Sequence, residues 1–183
     1  MERNLMIAGF GGQGVMTMGK LLAEATSQAT DLNVTFFPSY GSAQRGGTAN
    51  CFVVISDEPI GAPVSYNLED LVVMNGPSLR EYLPNLKPGG NLFINSTIVT
   101  DKIERDDVNI IEAPVTQMAI DIKNDRALNV IMLGVYVGAT DAVPADVIVK
   151  GIEHKFAAKP KLIEPNVEAF KMGLEIGEQH KVK

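Results

Sequence analysis

The segment most suited to binding an anion follows the first strand predicted from the sequence. Asn4–Ala8 is short and almost wholly apolar, which is typical of a buried strand, and a glycine-rich segment with the spacing G-x-G-x-x-G comes next. Glycine allows a close approach of backbone N–H groups to an anion, and the helix predicted from Val15 adds the positive end of its dipole. We expect a ligand or a partner's backbone here, with close strand–helix packing as the alternative. The candidate residues are Gly9, Gly11, Gly12, Gln13 and Gly14.

A dinucleotide site would need an acidic residue about twenty positions further on, at the end of the second strand, to bind the ribose hydroxyls. The second predicted strand, Asn33–Phe37, is instead followed by Pro38 and Ser39. Asp31 precedes that strand and would lie at the wrong edge of the sheet. The sequence therefore disfavours a nicotinamide or flavin cofactor.

A second candidate segment follows this strand and contains a lone arginine. Arg45 is the only formal charge from Leu32 through Ser56, so the loop around it is expected to be covered. A covered guanidinium needs an anionic or carbonyl partner, either within the chain or in a subunit interface or ligand site. In a parallel sheet this loop and the glycine turn would face one crevice. The candidate residues are Tyr40, Gly41, Arg45, Gly46 and Gly47.

Composition excludes several kinds of self-contained chemistry. Among 183 residues the one cysteine, Cys51, lies in an apolar strand, so the chain can form neither an internal disulfide nor a four-thiolate iron–sulfur cluster, and the thiol is expected to be inert. His154 and His180 lie in lysine-rich surroundings unsuited to a metal site. The sequence has no serine elbow, Cys–His pair, carboxylate cluster or P-loop lysine. We predict no catalytic residue, metal ligand or cofactor in this chain.

Net charge and hydropathy indicate which classes of partner and which cellular compartment to expect. A formal net charge of −6 argues against nucleic acid as a partner. The longest stretch without a charged or strongly polar residue, Val130–Ala139, is far shorter than the roughly 18 residues of a membrane span. The N-terminus has no signal-peptide pattern. We therefore expect a cytoplasmic protein that makes no use of a membrane.

Strands alternate with helices along the chain, and a helical region ends it. This order predicts an α/β fold, a single Rossmann-like domain over residues 1–183 with a largely parallel sheet flanked by helices. Further strands are predicted at 49–55, within 68–74, and at 91–95 and 109–111. Helices are predicted at 15–29, before Leu83, and at 116–122, 127–139, 144–155 and 166–178.

The segment Asn129–Ala139 is apolar on every side and carries Gly134 and Gly138 four residues apart. Small residues at that spacing allow another backbone to approach closely. Two interpretations follow: a central helix covered on all sides within one domain, or a helix partly covered by another subunit.

Three polar segments are interpreted as ordinary surface features. Lys87–Gly90 has the composition of a turn. Glu69 and Asp70 precede a strand and are expected at the surface. The seven lysines from Lys150 onward are expected to coat a solvated helical face.

Two motifs, GFGGQGV at Gly9–Val15 and PSYGSAQRGGTANC at Pro38–Cys51, closely resemble the gamma subunit of 2-oxoacid:ferredoxin oxidoreductases. The likeness continues through MNGPSL at Met74–Leu79, KPGGNLFIN at Lys87–Asn95 and NVIMLGVYVGA at Asn129–Ala139, so it covers nearly the whole chain. That family includes pyruvate, 2-oxoglutarate and branched-chain oxoacid enzymes. The chain looks closest to the separate gamma chains of the 2-oxoglutarate type.

The resemblance implies a non-redox subunit that works with other chains. It implies alpha and beta subunits that bind thiamine diphosphate and Mg²⁺, iron–sulfur clusters on the beta subunit and on a ferredoxin-like delta subunit, and ferredoxin as electron acceptor. The complex would convert a 2-oxoacid and coenzyme A to acyl-CoA and CO₂, as a heterotetramer in which homodimer contacts are also expected. An independent Rossmann-type nucleotide- or CoA-binding protein is the alternative.

One departure from the family pattern concerns the loop around the arginine. Family members usually carry an acidic residue shortly before that arginine, whereas here Ser42, Ala43 and Gln44 precede Arg45. If that acid normally orients the arginine or contacts a partner, the pairing around Arg45 must differ here.

Overall fold

The computed structural model describes residues 1–40 and 48–182, without the side chain of Tyr40. Within these residues six strands form one sheet: β1 (Glu2–Phe10), β2 (Asn33–Tyr40), β3 (Thr48–Ser56), β4 (Leu68–Val73), β5 (Leu86–Asn95) and β6 (Asn109–Ala113). The α-helices of the same part of the chain are α1 (Val15–Ala29), α2 (Gly76–Tyr82), α3 (Val115–Asp121), α4 (Leu128–Thr140), α5 (Ala145–Lys155) and α6 (Ile163–Glu178).

The sheet has the strand order β2-β3-β1-β4-β5-β6. Strands β1, β4, β5 and β6 are parallel, which confirms the predicted α/β fold with a largely parallel sheet. Strand β3 runs antiparallel to both of its neighbours. The reason is the short connection between β2 and β3, residues 41–47, because a parallel crossover needs a dozen residues or more.

The glycine turn and the ends of the β2–β3 connection lie at the same edge of the sheet. Strand β2 is antiparallel to β3, which is antiparallel to β1, so β1 and β2 point the same way. In the backbone register Phe10 pairs with Thr48, and Tyr40 pairs with Ala49. The two chain ends of the connection therefore stand beside the last residue of β1.

Alternate residues of the strands belong to two apolar clusters, one on each face of the sheet. In β1, Leu5 and Ile7 belong to the larger cluster, which includes residues of α1, α3, α4, α5 and α6. Met6 between them belongs to the smaller cluster with Leu79 of α2. This is the period of two that a strand imposes on its side chains. In the part of the chain that the structure describes, no helix has both the length and the apolarity to cross a membrane.

Helices α4 and α6 pack with their backbones in contact. A methyl group added to Gly134 or Gly138 of α4 would overlap the backbone of α6, and one added to Gly173 or Gly177 of α6 would overlap the backbone of α4. Every residue of α4 from 129 to 140 is buried. Of the two interpretations of this apolar helix, coverage within the chain itself is confirmed.

The interpretation of Lys87–Gly90 as a turn is wrong, because these residues lie in β5. The strand accommodates them through an irregularity: its register against β4 shifts between Leu68 and Asp70, and Gly89 has φ +76°. A bulge of this kind is where a sheet tolerates proline and glycine.

The expected surface position of Asp70 is also wrong, since its side chain is fully buried. Three donors surround the carboxylate: Arg3 Nη1 at 2.8 and 3.1 Å from its two oxygens, Asn91 Nδ2 at 2.7 Å and the Tyr136 hydroxyl at 3.1 Å. Burial raises the pKa of Tyr136 well above its usual value, and the charge of Asp70 raises it further. The hydroxyl therefore stays protonated and donates to Asp70. This cluster lies at the edge of the sheet opposite the glycine turn.

Cys51 is expected not to react with a thiol reagent such as Ellman's reagent at pH 8 while the chain is folded. Its side chain is buried, and burial raises the pKa of the thiol to about 12, so almost no thiolate forms. Unfolding in guanidinium should restore the ordinary rate of a free thiol. The rate of labelling is measured from the absorbance of the released reagent product, for the folded chain and for the chain in guanidinium. Rapid labelling of the folded chain would contradict the expected protection.

Candidate functional site

The glycine turn joins β1 to α1 and is crowded on its inner side. A methyl group on Gly9 would lie 2.7 Å from Oε1 of Gln13 and 2.8 Å from Cβ of Met74. Gly14 has φ +75°, and a methyl group there would lie 2.8 Å from the side chain of Asn129. These two glycines are therefore explained by contacts within the chain.

The outer side of the turn is open. Gly11 and Gly12 are exposed, and a methyl group on either would meet no atom of residues 1–40 or 48–182 within 4 Å. The φ of +95° at Gly12 requires glycine at that position, whereas Gly11 has no positive φ that would require one. The tip of the turn thus presents bare backbone to its surroundings.

Two side chains hold the turn in place, Gln13 of the turn itself and Asn129 of α4. Gln13 Oε1 accepts a hydrogen bond from the backbone N–H of Phe10 at 2.7 Å, and Gln13 Nε2 donates to the carbonyl of Met74 at 2.9 Å. Asn129, near the start of α4, donates from Nδ2 to the carbonyl of Gly14 at 3.3 Å. The turn is therefore tied both to the end of β4 and to α4.

A groove of about 760 Å³ opens beside the turn. One wall is Gly12–Gly14 with the first turns of α1, and the other comes from the residues that lead into α4, the end of α5 and the start of α6. Its apolar lining includes Leu128, Phe156 and Leu162. The volume lies in the range of small-molecule and cofactor sites.

The charged side chains that line the groove are all basic. They are Arg126, Lys155 and Lys159, and among the residues that the structure describes no aspartate or glutamate lines the groove with them. Within residues 1–40 and 48–182 none of the three forms an ion pair. The chain as a whole has 22 acidic and 16 basic residues, so this grouping runs against its composition. The groove is suited to an anion.

Lys155, at the end of α5, is partly covered by its neighbours. Partial burial lowers the pKa of its ammonium, Glu24 nearby opposes that effect, and Lys20 adds to it. An anion in the groove would favour the charged ammonium and raise this pKa again.

The structure brings together part of the predicted site. Gly12, Gln13 and Gly14 line the groove, Gly11 stands at the open tip of the turn, and Gly9 lies behind it. Tyr40 ends β2 at the same edge of the sheet. The remaining candidates lie outside the described residues: Gly41, Arg45, Gly46 and Gly47.

The basic residues of the groove are absent from the sequence-based candidates. Lys155 and Lys159 belong to the lysine cluster interpreted as a solvated face, and they are indeed exposed, but they converge with Arg126 from another segment. The available signal was the set of lysines between Glu153 and Glu164, a stretch that contains no acidic residue. Across the described ranges no three His, Cys, Asp or Glu side chains are grouped so as to hold a metal ion.

Residues 4–176 match the family model described as pyruvate ferredoxin/flavodoxin oxidoreductase. The chain is 33% identical over 182 residues to 2-oxoglutarate synthase subunit KorC of Methanothermobacter marburgensis, covering 96% of this chain and 97% of that protein. It is 35% identical over 175 residues to ketoisovalerate oxidoreductase subunit VorA of Methanothermobacter thermautotrophicus, covering 95% of this chain. The chain spans only 36% of the length of that VorA protein.

A similar fold occurs in a solved structure, the gamma subunit of a keto/oxoacid ferredoxin oxidoreductase from Geobacter sulfurreducens. The two chains superpose with a TM-score of 0.87 at 26% sequence identity, and the match covers 99% of each. The sheet order and the flanking helices described above therefore recur in a chain of nearly the same extent.

Proposed function

The chain belongs to the pyruvate ferredoxin/flavodoxin oxidoreductase family, and on this premise we propose that it is the gamma subunit of a multisubunit 2-oxoacid:ferredoxin oxidoreductase. The complex would oxidatively decarboxylate 2-oxoglutarate or a similar 2-oxoacid, with coenzyme A as acyl acceptor and ferredoxin as electron acceptor. Thiamine diphosphate, Mg²⁺ and the iron–sulfur clusters would reside in alpha, beta and ferredoxin-like delta subunits. The match to KorC, which covers 97% of that protein, supports the choice of 2-oxoglutarate as substrate.

Within this complex we assign to the chain the binding of the phosphate-bearing end of coenzyme A. The observation that carries the assignment is the groove with Arg126, Lys155 and Lys159 and no acidic residue in its lining. A guanidinium can bind a phosphate through two parallel hydrogen bonds, and lysine ammonium groups add charge. Apolar side chains such as Phe156 and Leu162 line the same groove and offer surface for the adenine ring.

Replacing two of these cations, Arg126→Gln with Lys159→Gln, is expected to raise the KM for coenzyme A about tenfold and to leave kcat within about twofold. The variant loses charge-assisted bonds to phosphate, which are made equally in ground and transition states. The measurement is steady-state kinetics of the assembled complex at several salt concentrations, where the variant should show the weaker salt dependence.

The matched control is Lys150→Gln with Lys171→Gln, two lysines that pair with acidic residues on exposed helix faces. It removes the same net charge away from the groove, so its KM for coenzyme A should equal that of the wild type. An equal rise in both variants would assign the effect to overall charge, and no rise in either would remove coenzyme A from the groove.

The loop from Tyr40 to Gly47 is proposed to contact the catalytic subunits. Arg45→Ala is expected to weaken assembly of the complex about tenfold or more, since arginine is a frequent interface hot spot, while the thermal midpoint of the isolated chain stays unchanged. Subunit titration followed by size-exclusion chromatography measures this. Arg80→Ala, at an exposed position of α2, serves as the control. Normal assembly and turnover of the Arg45 variant would remove the interface role.

A second function, a nucleotide- or CoA-binding protein that acts alone, would use the same groove and its three cations. Copurification of the native complex, followed by turnover with a panel of 2-oxoacids, distinguishes the two. A chain that binds coenzyme A tightly and has no partner subunits would favour the second function. The panel also tests the assignment of 2-oxoglutarate as substrate.

A further inference from the structure

We infer that Gln13 is a positioning residue that holds the glycine turn in its ligand-binding shape before the ligand arrives. The inference rests on the proposed function, because the ligand is taken to be coenzyme A. The role of Gln13 is to hold the backbone of the turn, whereas the cations of the groove attract the negative charge of the ligand.

One side chain satisfies backbone groups on two strands. The Gln13 amide accepts from the N–H of Phe10, at the end of β1, and donates to the carbonyl of Met74, just after β4. The backbone N–H of Gln13 also donates to the carbonyl of Phe10 at 3.2 Å. Both polar backbone groups of Phe10 are therefore bonded to Gln13, and the turn is fastened across to the neighbouring strand.

The tip of the turn has few other restraints. Gly11 and Gly12 have no side chains, and no described residue lies within 4 Å of a methyl group added to either, so contacts with the described part of the chain do little to fix the peptide planes between them. A glycine segment loses more conformational freedom on ordering than any other, and ordering it at the moment of binding weakens affinity. Gln13 follows the tip directly, so its two bonds supply the order in advance.

The amide group of glutamine is suited to this task. It combines an acceptor and a donor on one planar group, whereas glutamate offers only acceptors at neutral pH and methionine offers neither. The amide can lie against the end of β1 because position 9 is glycine, where a methyl group would come within 2.7 Å of Oε1. Gly9 and Gln13 therefore form one structural unit.

The test compares Gln13→Met, which keeps the length and removes both bonds, with the wild type and with Gln117→Met. Gln117 is an exposed glutamine of α3 whose Nε2 donates to Asp121 on the same helix. Two readouts are needed: hydrogen exchange of the amides of residues 10–14 in the full chain, and KM and kcat for coenzyme A in the assembled complex. For Gln13→Met we expect exchange about tenfold faster, KM about tenfold higher and kcat within about twofold.

Each outcome of this test either supports or overturns the inference. Unchanged exchange in the turn would show that Gln13 does not hold it, and faster exchange with an unchanged KM would leave Gln13 a structural role only; either result overturns the inference. The proposed function fails separately, when Arg126→Gln with Lys159→Gln leaves the KM unchanged. Should Gln13→Met fail to fold, Gln13→Glu keeps the bond from Phe10 and loses the bond to Met74, and the same two readouts apply.

Discussion

Replacing Gly173 with alanine is expected to lower the free energy of unfolding by about 3 kcal/mol, the upper part of the range for overpacked cores. The added methyl group would overlap the carbonyl oxygen of Ile131 and crowd the backbone nitrogen of Val135. These are backbone atoms of a buried helix, so no side chain can rotate away to make room. Helices α4 and α6 would have to separate, which opens the larger apolar cluster to voids. Urea unfolding followed by circular dichroism measures the change.

Gly61→Ala is the matched control for this substitution. Gly61 is exposed, has no atom within 4 Å of an added methyl group and has no positive φ. Its replacement should change the free energy of unfolding by no more than about 0.5 kcal/mol. Equal midpoints for Gly173→Ala, Gly61→Ala and the wild type would mean that the two helices do not approach as closely as described.

This helix pair illustrates which parts of the fold are predictable from local sequence. The spacing of Gly134 and Gly138 predicts that a backbone approaches α4, and the all-apolar composition predicts its burial. The sequence does not say which segment approaches, because the contacts of Gly173 and Gly177 join residues more than thirty positions apart in the chain. Strand and helix positions follow from local periodicity, whereas the reversal of β3 follows from a loop length.

The candidate site likewise has one part that is predictable from local sequence and one part that is not. The glycine turn is a local feature, so its place between β1 and α1 is predictable from spacing alone. The groove is formed by residues from 12–21, 124–130 and 155–166, which meet only when α4, α5 and α6 are packed. Exposure alone did not distinguish Lys155 and Lys159 from the other lysines; their convergence with Arg126 does.

Asp70→Ala is expected to lower the free energy of unfolding by about 3–5 kcal/mol, the range for removal of one partner from a buried ion pair. The substitution leaves the guanidinium of Arg3, whose side chain is only 15% exposed, without its acidic partner. It also leaves Asn91 Nδ2 and the Tyr136 hydroxyl without the acceptor they share. Urea unfolding at neutral pH measures the loss.

The double-mutant cycle with Arg3→Met separates the ion pair from the other bonds. Once Asp70 is absent, removing Arg3 should restore part of the stability, since no uncompensated charge remains near the core. Asp146→Ala, which breaks an exposed pair with Lys150, should change stability by no more than about 0.5 kcal/mol. If Asp70→Ala were as mild as Asp146→Ala, Asp70 would have to be accessible to water. The three donors around it would then contribute little to the fold, and its first assignment to the surface would be correct.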